Sequence, residues 1–372
     1  MKIKRIITVL FAALTLASCA PAAKVIPTEM AVATPTITIV PPTISHTPTI
    51  ISSPTPMHIN FQGATVPINV YLDDKNCITL ELGGKAQCVN MFVLGKAGEN
   101  HFQTEMTWRG TIYIIGDVNA KSIIIEPGTV IYIGANFDSK NLHGKGDDVG
   151  CSDSETRAVY KGTKGECGLG LIPGDPHWDE ANHISLNIAN LISIGTENTP
   201  ILITSSASKP TMYDWNYLDF AGRIEYTFIE YGRAIGTKDG STISNSTIAH
   251  IGGCNVCSGE NARDITISNN HFFDAGHELI DTHSAFNSVV ITGNELEATR
   301  YVGIIIDGGS PKITGNIIHD TFTGILFLNE PNIKDLVISE NTFYQNRHHW
   351  DCNGDYSCAL IKDLILLNNF FK

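Results

Sequence analysis

An all-β solenoid of stacked parallel coils is the fold this sequence predicts. The first observation is a phrase that recurs from Arg223 to the end. It runs aliphatic, small polar, one more residue, usually Asn, then a hydrophobic residue one or two places on. It reads Ile243-Ser244-Asn245-Ser246-Thr247-Ile248, Ile267-Ser268-Asn269-Asn270-His271-Phe272 and Ile291-Thr292-Gly293-Asn294-Glu295-Leu296. It returns as Ile313-Thr314-Gly315-Asn316-Ile317-Ile318, Ile338-Ser339-Glu340-Asn341-Thr342-Phe343 and Leu366-Leu367-Asn368-Asn369-Phe370-Phe371, with a weaker copy at Ile224–Ile229. The second is the spacing: the fourth position falls at 227, 246, 270, 294, 316, 341 and 369. Intervals of 19 to 28 residues are too long and uneven for a heptad. They suit coils that share one frame and differ in loop length. The third is punctuation. Segments between copies are short, rich in Ile, Val and Thr, broken by Gly, Asn and Asp, with no amphipathic stretch of helical length.

Strands that return to one register per coil stack parallel at ~4.8 Å. Stacking sets each coil's Asn over the next. A buried Asn needs partners for its acceptor and its donors, and a file of Asn side chains supplies them, as amide ladders do in other stacked sheets. The plainer alternative makes these Asn left-handed turn residues only.

The Ile-[Ser/Thr]-x-Asn-x-hydrophobic phrase is followed by Gly303-Ile304-Ile305-Ile306 and Gly324-Ile325-Leu326-Phe327. Earlier come Ile125-Glu126-Pro127-Gly128-Thr129-Val130-Ile131 and the run from Ile194-Gly195-Thr196 to Pro200-Ile201-Leu202-Ile203-Thr204-Ser205. Together these resemble right-handed parallel β-helix proteins of the pectate-lyase-like group. The resemblance covers roughly residues 108–372 apart from one insertion. It implies a single-stranded, right-handed β-helix. It leaves activity open, because this architecture carries lyases, hydrolases, epimerases and adhesins.

In chain order, residues 1–19 read as an export signal. Lys2, Lys4 and Arg5 precede the apolar Ile6–Leu16, too short to span a bilayer stably. Leu16-Ala17-Ser18-Cys19 resembles the bacterial lipoprotein box, which implies lipidation at Cys19 and anchorage without a transmembrane helix. Residues 20–57 alternate Pro and Thr as a semi-rigid tether, which at ~3.1 Å per residue reaches about 100 Å. Residues 58–107 are expected to form an N-terminal cap over the open first coil, and 108–372 the β-helix. Residues 136–183 interrupt the rhythm. Their carboxylates offer oxygen ligands for Ca²⁺, against a plainer reading as a polar loop.

Besides Cys19, eight cysteines fall in local pairs: Cys77/Cys88, Cys151/Cys167, Cys254/Cys257 and Cys352/Cys358. In an exported chain they read as disulfides. Cys254-Asn255-Val256-Cys257 also has zinc-knuckle spacing, so a metal remains the competing reading. Formal net charge is −13. That lacks the basic footprint of nucleic-acid binding and disfavours a polyanionic glycan unless a cation such as Ca²⁺ bridges it.

Aligning coils on the Asn brings 277–283, 302–307 and 347–351 to neighbouring rungs. Asp281, Asp307, His277, Glu278 and His349 are the catalytic candidates; His283, Arg300, Tyr301, His348 and Trp350 are binding candidates. Two carboxylates suit glycoside hydrolysis, a base with a cation suits β-elimination on a uronate, and Tyr301 and Trp350 offer flat faces for sugar rings. The Asp-Asp and His-Gly signatures of polygalacturonase-like hydrolases are absent from matching coils. The basic catalytic residue and acid cluster of pectate lyases cannot be placed either. The expectation is an exported, lipid-anchored protein that binds extracellular or envelope polysaccharide, with a carbohydrate-active enzyme as the alternative.

Overall fold

The computed structural model describes residues 58–61, 64–94, 102–135, 184–259, 262–282, 288–297, 299, 301–352 and 358–372. Cys19, the tether, the 136–183 insertion with Cys151 and Cys167, His283 and Arg300 lie outside the described residues.

From Trp215 onward each coil lays strands on three faces. The first face stacks Gly232–Thr237, Val256–Ser258, Glu278–Asp281, Val302–Asp307, Thr323–Asn329 and His348–Cys352. The second stacks Thr242–Ser244, Ile265–Ser268, Val289–Thr292, Lys312–Thr314 and Val337–Ser339. The third runs from Met91–Val93 to Phe370–Phe371. Trp215–Glu225 belongs to two faces at once: its first half pairs with Gly232–Thr237 and its second with Thr242–Ser244. Before it, Leu186–Ile194, Val118–Ile125 and Phe102–Trp108 continue the same parallel stack.

Parallel stacking turns the period-2 pattern of each strand into vertical files. On the third face Ile229, Ile248, Phe272, Leu296, Ile318 and Phe343 pair in succession and are fully buried. Each such side chain contributes about 1.5–3 kcal/mol of hydrophobic stabilisation.

The asparagines stand in one file at the corner between the second and third faces. Asn270, Asn294, Asn316 and Asn341 each donate Nδ2–H to the next Asn Oδ1, at 3.0, 2.9, 2.8 and 2.8 Å. The same Oδ1 accepts the backbone N–H from the coil above. The second amide hydrogen goes to an Ile carbonyl: Ile243, Ile267, Ile291 and Ile313 in turn. Each amide is thus fully satisfied where water is excluded. The left-handed backbone falls one residue earlier, at Tyr226, Asn245, Asn269, Gly293, Gly315 and Glu340. The turn requirement and the ladder therefore occupy adjacent positions of the phrase.

Two findings modify the expected ends. Parallel pairing already starts at Met91–Val93 and Phe102–Trp108, inside the segment read as cap. The same segment holds an antiparallel hairpin, Ile78–Leu82/Lys85–Val89. It packs on the outward side of the third face, where Leu80, Leu82 and Val89 cover Tyr113, Ile115 and Tyr132. That burial pushes the Tyr113 hydroxyl up to about 12. At the other end the fold is not purely β. A helix, α1 (Cys358–Asn368), packs beside Val337–Ser339 and buries Ile361 and Ile365. The last repeat therefore keeps only Asn369 and the strand Phe370–Phe371. Leu366 and Leu367, part of the last copy of the phrase, are helical: α1 lies beside the edge strand Val337–Ser339 where a further second-face strand would stack.

Among the described residues, Cys77–Cys88, Cys254–Cys257 and Cys352–Cys358 are disulfides. The Cys254/Cys257 sulfurs are therefore not free thiolates for zinc.

Candidate functional site

The outward side of the first face carries a groove of about 910 Å³. Its floor is one file of paired residues: Asp219, Gly236, Cys257, Asp281, Ile305, Leu326 and Asp351. Seven coils at ~4.8 Å per step span roughly 29 Å. A Cβ at Gly236 would meet the Asp219 carboxylate, which would have to turn aside. Tyr213 likewise lies against Gly252, to whose carbonyl its hydroxyl donates at 2.5 Å.

Five of the expected residues line the groove: His277, Glu278, Asp281, Tyr301 and Asp307. Glu278 is buried; it pairs with Nδ1 of His277 and lies beside the Cys254–Cys257 sulfurs. The His277 ring is tilted against Tyr301, centroids 5.9 Å apart. Asp281 pairs across the rung with Ile305, so Asp307 stands one rung down and two residues along the strand. Asp307 accepts from the Asn329 amide.

The 347–351 stretch is one coil further away than the alignment suggested, because Thr323–Asn329 stacks between it and Val302–Asp307. His348 therefore borders the groove only through an edge contact with Phe322. Trp350 pairs with Ile325 on the inward file and packs against the core. The ring is partly buried there and does not line the groove. His349 sits among Phe343 and Phe371, away from the groove, and burial holds its imidazole below the ordinary value of 6.5.

The groove also contains residues that the sequence reading passed over: Tyr213, Tyr217, Asp219, Arg233, Lys238 and Phe322. The Arg233 guanidinium lies over the Tyr217 ring at 4.9 Å. Burial pushes the Asp219 carboxyl above its usual range, while Lys238 opposes that shift. Lys238 itself donates to Asn187 at 2.5 Å. All of these but Phe322 precede the first clear copy of the phrase, at Ile243, so an alignment anchored on it does not reach them. In register Ala234-Ile235 corresponds to Gly303-Ile304, so the glycine that marks the later copies is replaced upstream and the sequence signal is lost.

The description "Right handed beta helix region" matches residues 233–362. With the parallel three-faced stack this decides the architecture. The chain is a right-handed parallel β-helix protein. No curated protein and no solved structure matches the chain. The matched part of the β-helix holds most of the groove, from Arg233 to Asp351, and leaves Tyr213, Tyr217 and Asp219 upstream.

Proposed function

We propose that this β-helix is exported, held at the cell surface by lipid on Cys19, and binds an extracellular or envelope polysaccharide along the first-face groove. The observation that carries the proposal is the groove itself, continuous over seven coils and lined by both aromatic faces and hydrogen-bonding carboxylates. Such a shape suits a chain better than a single small molecule. Tyr217 and Tyr301 supply flat apolar faces, and Asp281, Asp307 and Asp351 accept from sugar hydroxyls. Carboxylates outnumber Arg233 and Lys238 in the lining, which favours uncharged or amino-bearing sugars. A polyuronide would need a bridging cation such as Ca²⁺.

The test is calorimetry of the full chain against neutral glycans, amino-bearing glycans and polyuronides, with and without Ca²⁺. A neutral or amino-bearing glycan is expected to titrate, and Tyr217→Ala to weaken it up to about tenfold. If none of the glycans titrates, the proposal fails.

A second reading is enzymatic, and one observation favours it. The offset of Asp281 and Asp307 puts their Cα atoms roughly 8 Å apart on strand spacing. That separation is compatible with the ~6.5–9.5 Å between carboxyls in inverting glycosidases. Asp219, whose carboxyl is pushed up by burial, stands three rungs, roughly 14 Å, from Asp281. New reducing ends would identify a hydrolase and unsaturated uronates a lyase. In either case Asp281→Asn and Asp307→Asn should stop turnover while leaving binding. Binding without any product leaves the non-catalytic reading alone.

A further inference from the structure

The outward side of the third face, away from the groove, carries a compact set of histidines and glutamates. His271 pairs directly above Glu295, and Glu297 directly above His319. Glu295 and Glu297 are two apart on one strand and so point to the same side. His319 is 5% exposed. Its Nδ1 lies 2.7 Å from the Asp320 carboxylate, and its ring is stacked on Tyr344 at 4.4 Å and 8°. These two contacts fix the imidazole plane.

With Nδ1–H donated to Asp320, Nε2 presents a lone pair. That lone pair faces two carboxylates, Glu295 Oε1 at 3.4 Å and Glu297 Oε2 at 3.5 Å. Nε2 makes one long hydrogen bond, to Glu295 Oε1, and the two carboxylates converging on it suit a positive charge at that point, either a proton on Nε2 or a metal ion. Tetrahedral coordination at ~2.0–2.2 Å places ligand atoms roughly 3.4 Å apart, which is the spacing observed. The Asp320–His319 contact has the form of the outer partner that orients a metal-bound histidine. His271 Nε2 stands 3.0 Å from Glu297 Oε1 and so holds the second oxygen of that carboxylate, outside the converging set Glu295, Glu297 and His319.

We propose that Glu295, Glu297 and His319 bind a borderline divalent metal ion, Zn²⁺ in class, on the third face, with His271 beside them. Two carboxylates and imidazole suit Zn²⁺, and too few oxygens are present for Ca²⁺, which takes 6–8. The ion would tie together two neighbouring coils, at 295–297 and 319. It is separate from the groove and from the Cys254–Cys257 disulfide.

The experiment is titration of the chelator-treated full chain with ZnCl₂ and with CaCl₂, read by calorimetry and by the thermal midpoint. Circular dichroism without metal checks the fold of each variant. Wild type is expected to take up Zn²⁺ and to melt higher with it, and to show no such shift with Ca²⁺. Glu295→Gln, at an exposed position, and Glu297→Gln should each lose one equivalent while remaining folded. Asp320→Asn should keep the site but weaken it on the order of 10–100-fold. If wild type shows no Zn²⁺-dependent shift, or if Glu295→Gln and Glu297→Gln bind the same equivalents with the same affinity, the cluster is only a hydrogen-bonded network and the proposal is overturned.

Discussion

Asn316 shows how much one side chain can carry in a stacked fold. Its Oδ1 accepts from the backbone N–H and the Nδ2 of Asn294, and its Nδ2 donates to the Ile291 carbonyl and to Asn341 Oδ1. Removing it orphans buried groups in the coils above and below, each costing about 1–3 kcal/mol. Asn316→Ala is therefore expected to lose about 3–5 kcal/mol of stability. Asn369→Ala breaks the same set of four hydrogen bonds, but at a half-buried position where water can replace them, and should lose only about 1–2 kcal/mol. Urea unfolding followed by circular dichroism measures both, and equal losses would remove the ladder as the source. The Asn phrase was legible in the sequence because both its requirements are local: a left-handed residue, then an amide that repeats once per coil. Trp350 was not legible in the same way. Whether an aromatic on a short strand faces in or out depends on its partner across the rung, and that partner is Ile325.

At the scale of elements, the C-terminal end illustrates a competition between repetition and closure. The sequence continues the phrase at Leu366-Leu367-Asn368-Asn369, yet the chain forms α1 there. An open strand edge is a liability that natural sheets cover. Ile361 and Ile365, spaced i and i+4, lie on one side of a helix and are both fully buried. That spacing was present in the sequence and was outweighed by the repeat. Ile365→Asp is expected to cost about 3–5 kcal/mol by placing an unpaired charge in the core, with faster hydrogen exchange across 337–352. Leu367→Asp, at a position 80% exposed, should change stability by less than about 0.5 kcal/mol. Matching thermal shifts for the two variants would contradict the assignment of the buried side.

At the scale of the whole molecule, the anchor and the groove make separate demands. Among the described residues no helix is long and apolar enough to cross a membrane, so membrane attachment in the proposal rests on Cys19. Cys19→Ser should move the protein wholly from the detergent phase to the aqueous phase in two-phase partitioning, with glycan titration unchanged. Continued partitioning into detergent would count against the lipid anchor.

The sequence by itself determined that this is a parallel solenoid, where its coils turn, and which asparagines align. Those features follow from short-range backbone preferences repeated at each coil. It also brought out the central groove residues His277, Glu278, Asp281, Tyr301 and Asp307. Only the tertiary structure decided that Asp219 belongs to the same file as Asp281, that Thr323–Asn329 separates His348 from Asp307, and that Trp350 points inward. The physical reason is register. Loops of unequal length make the count between coils variable, and hydrogen bonding between neighbouring strands, not distance along the chain, determines which side chains meet.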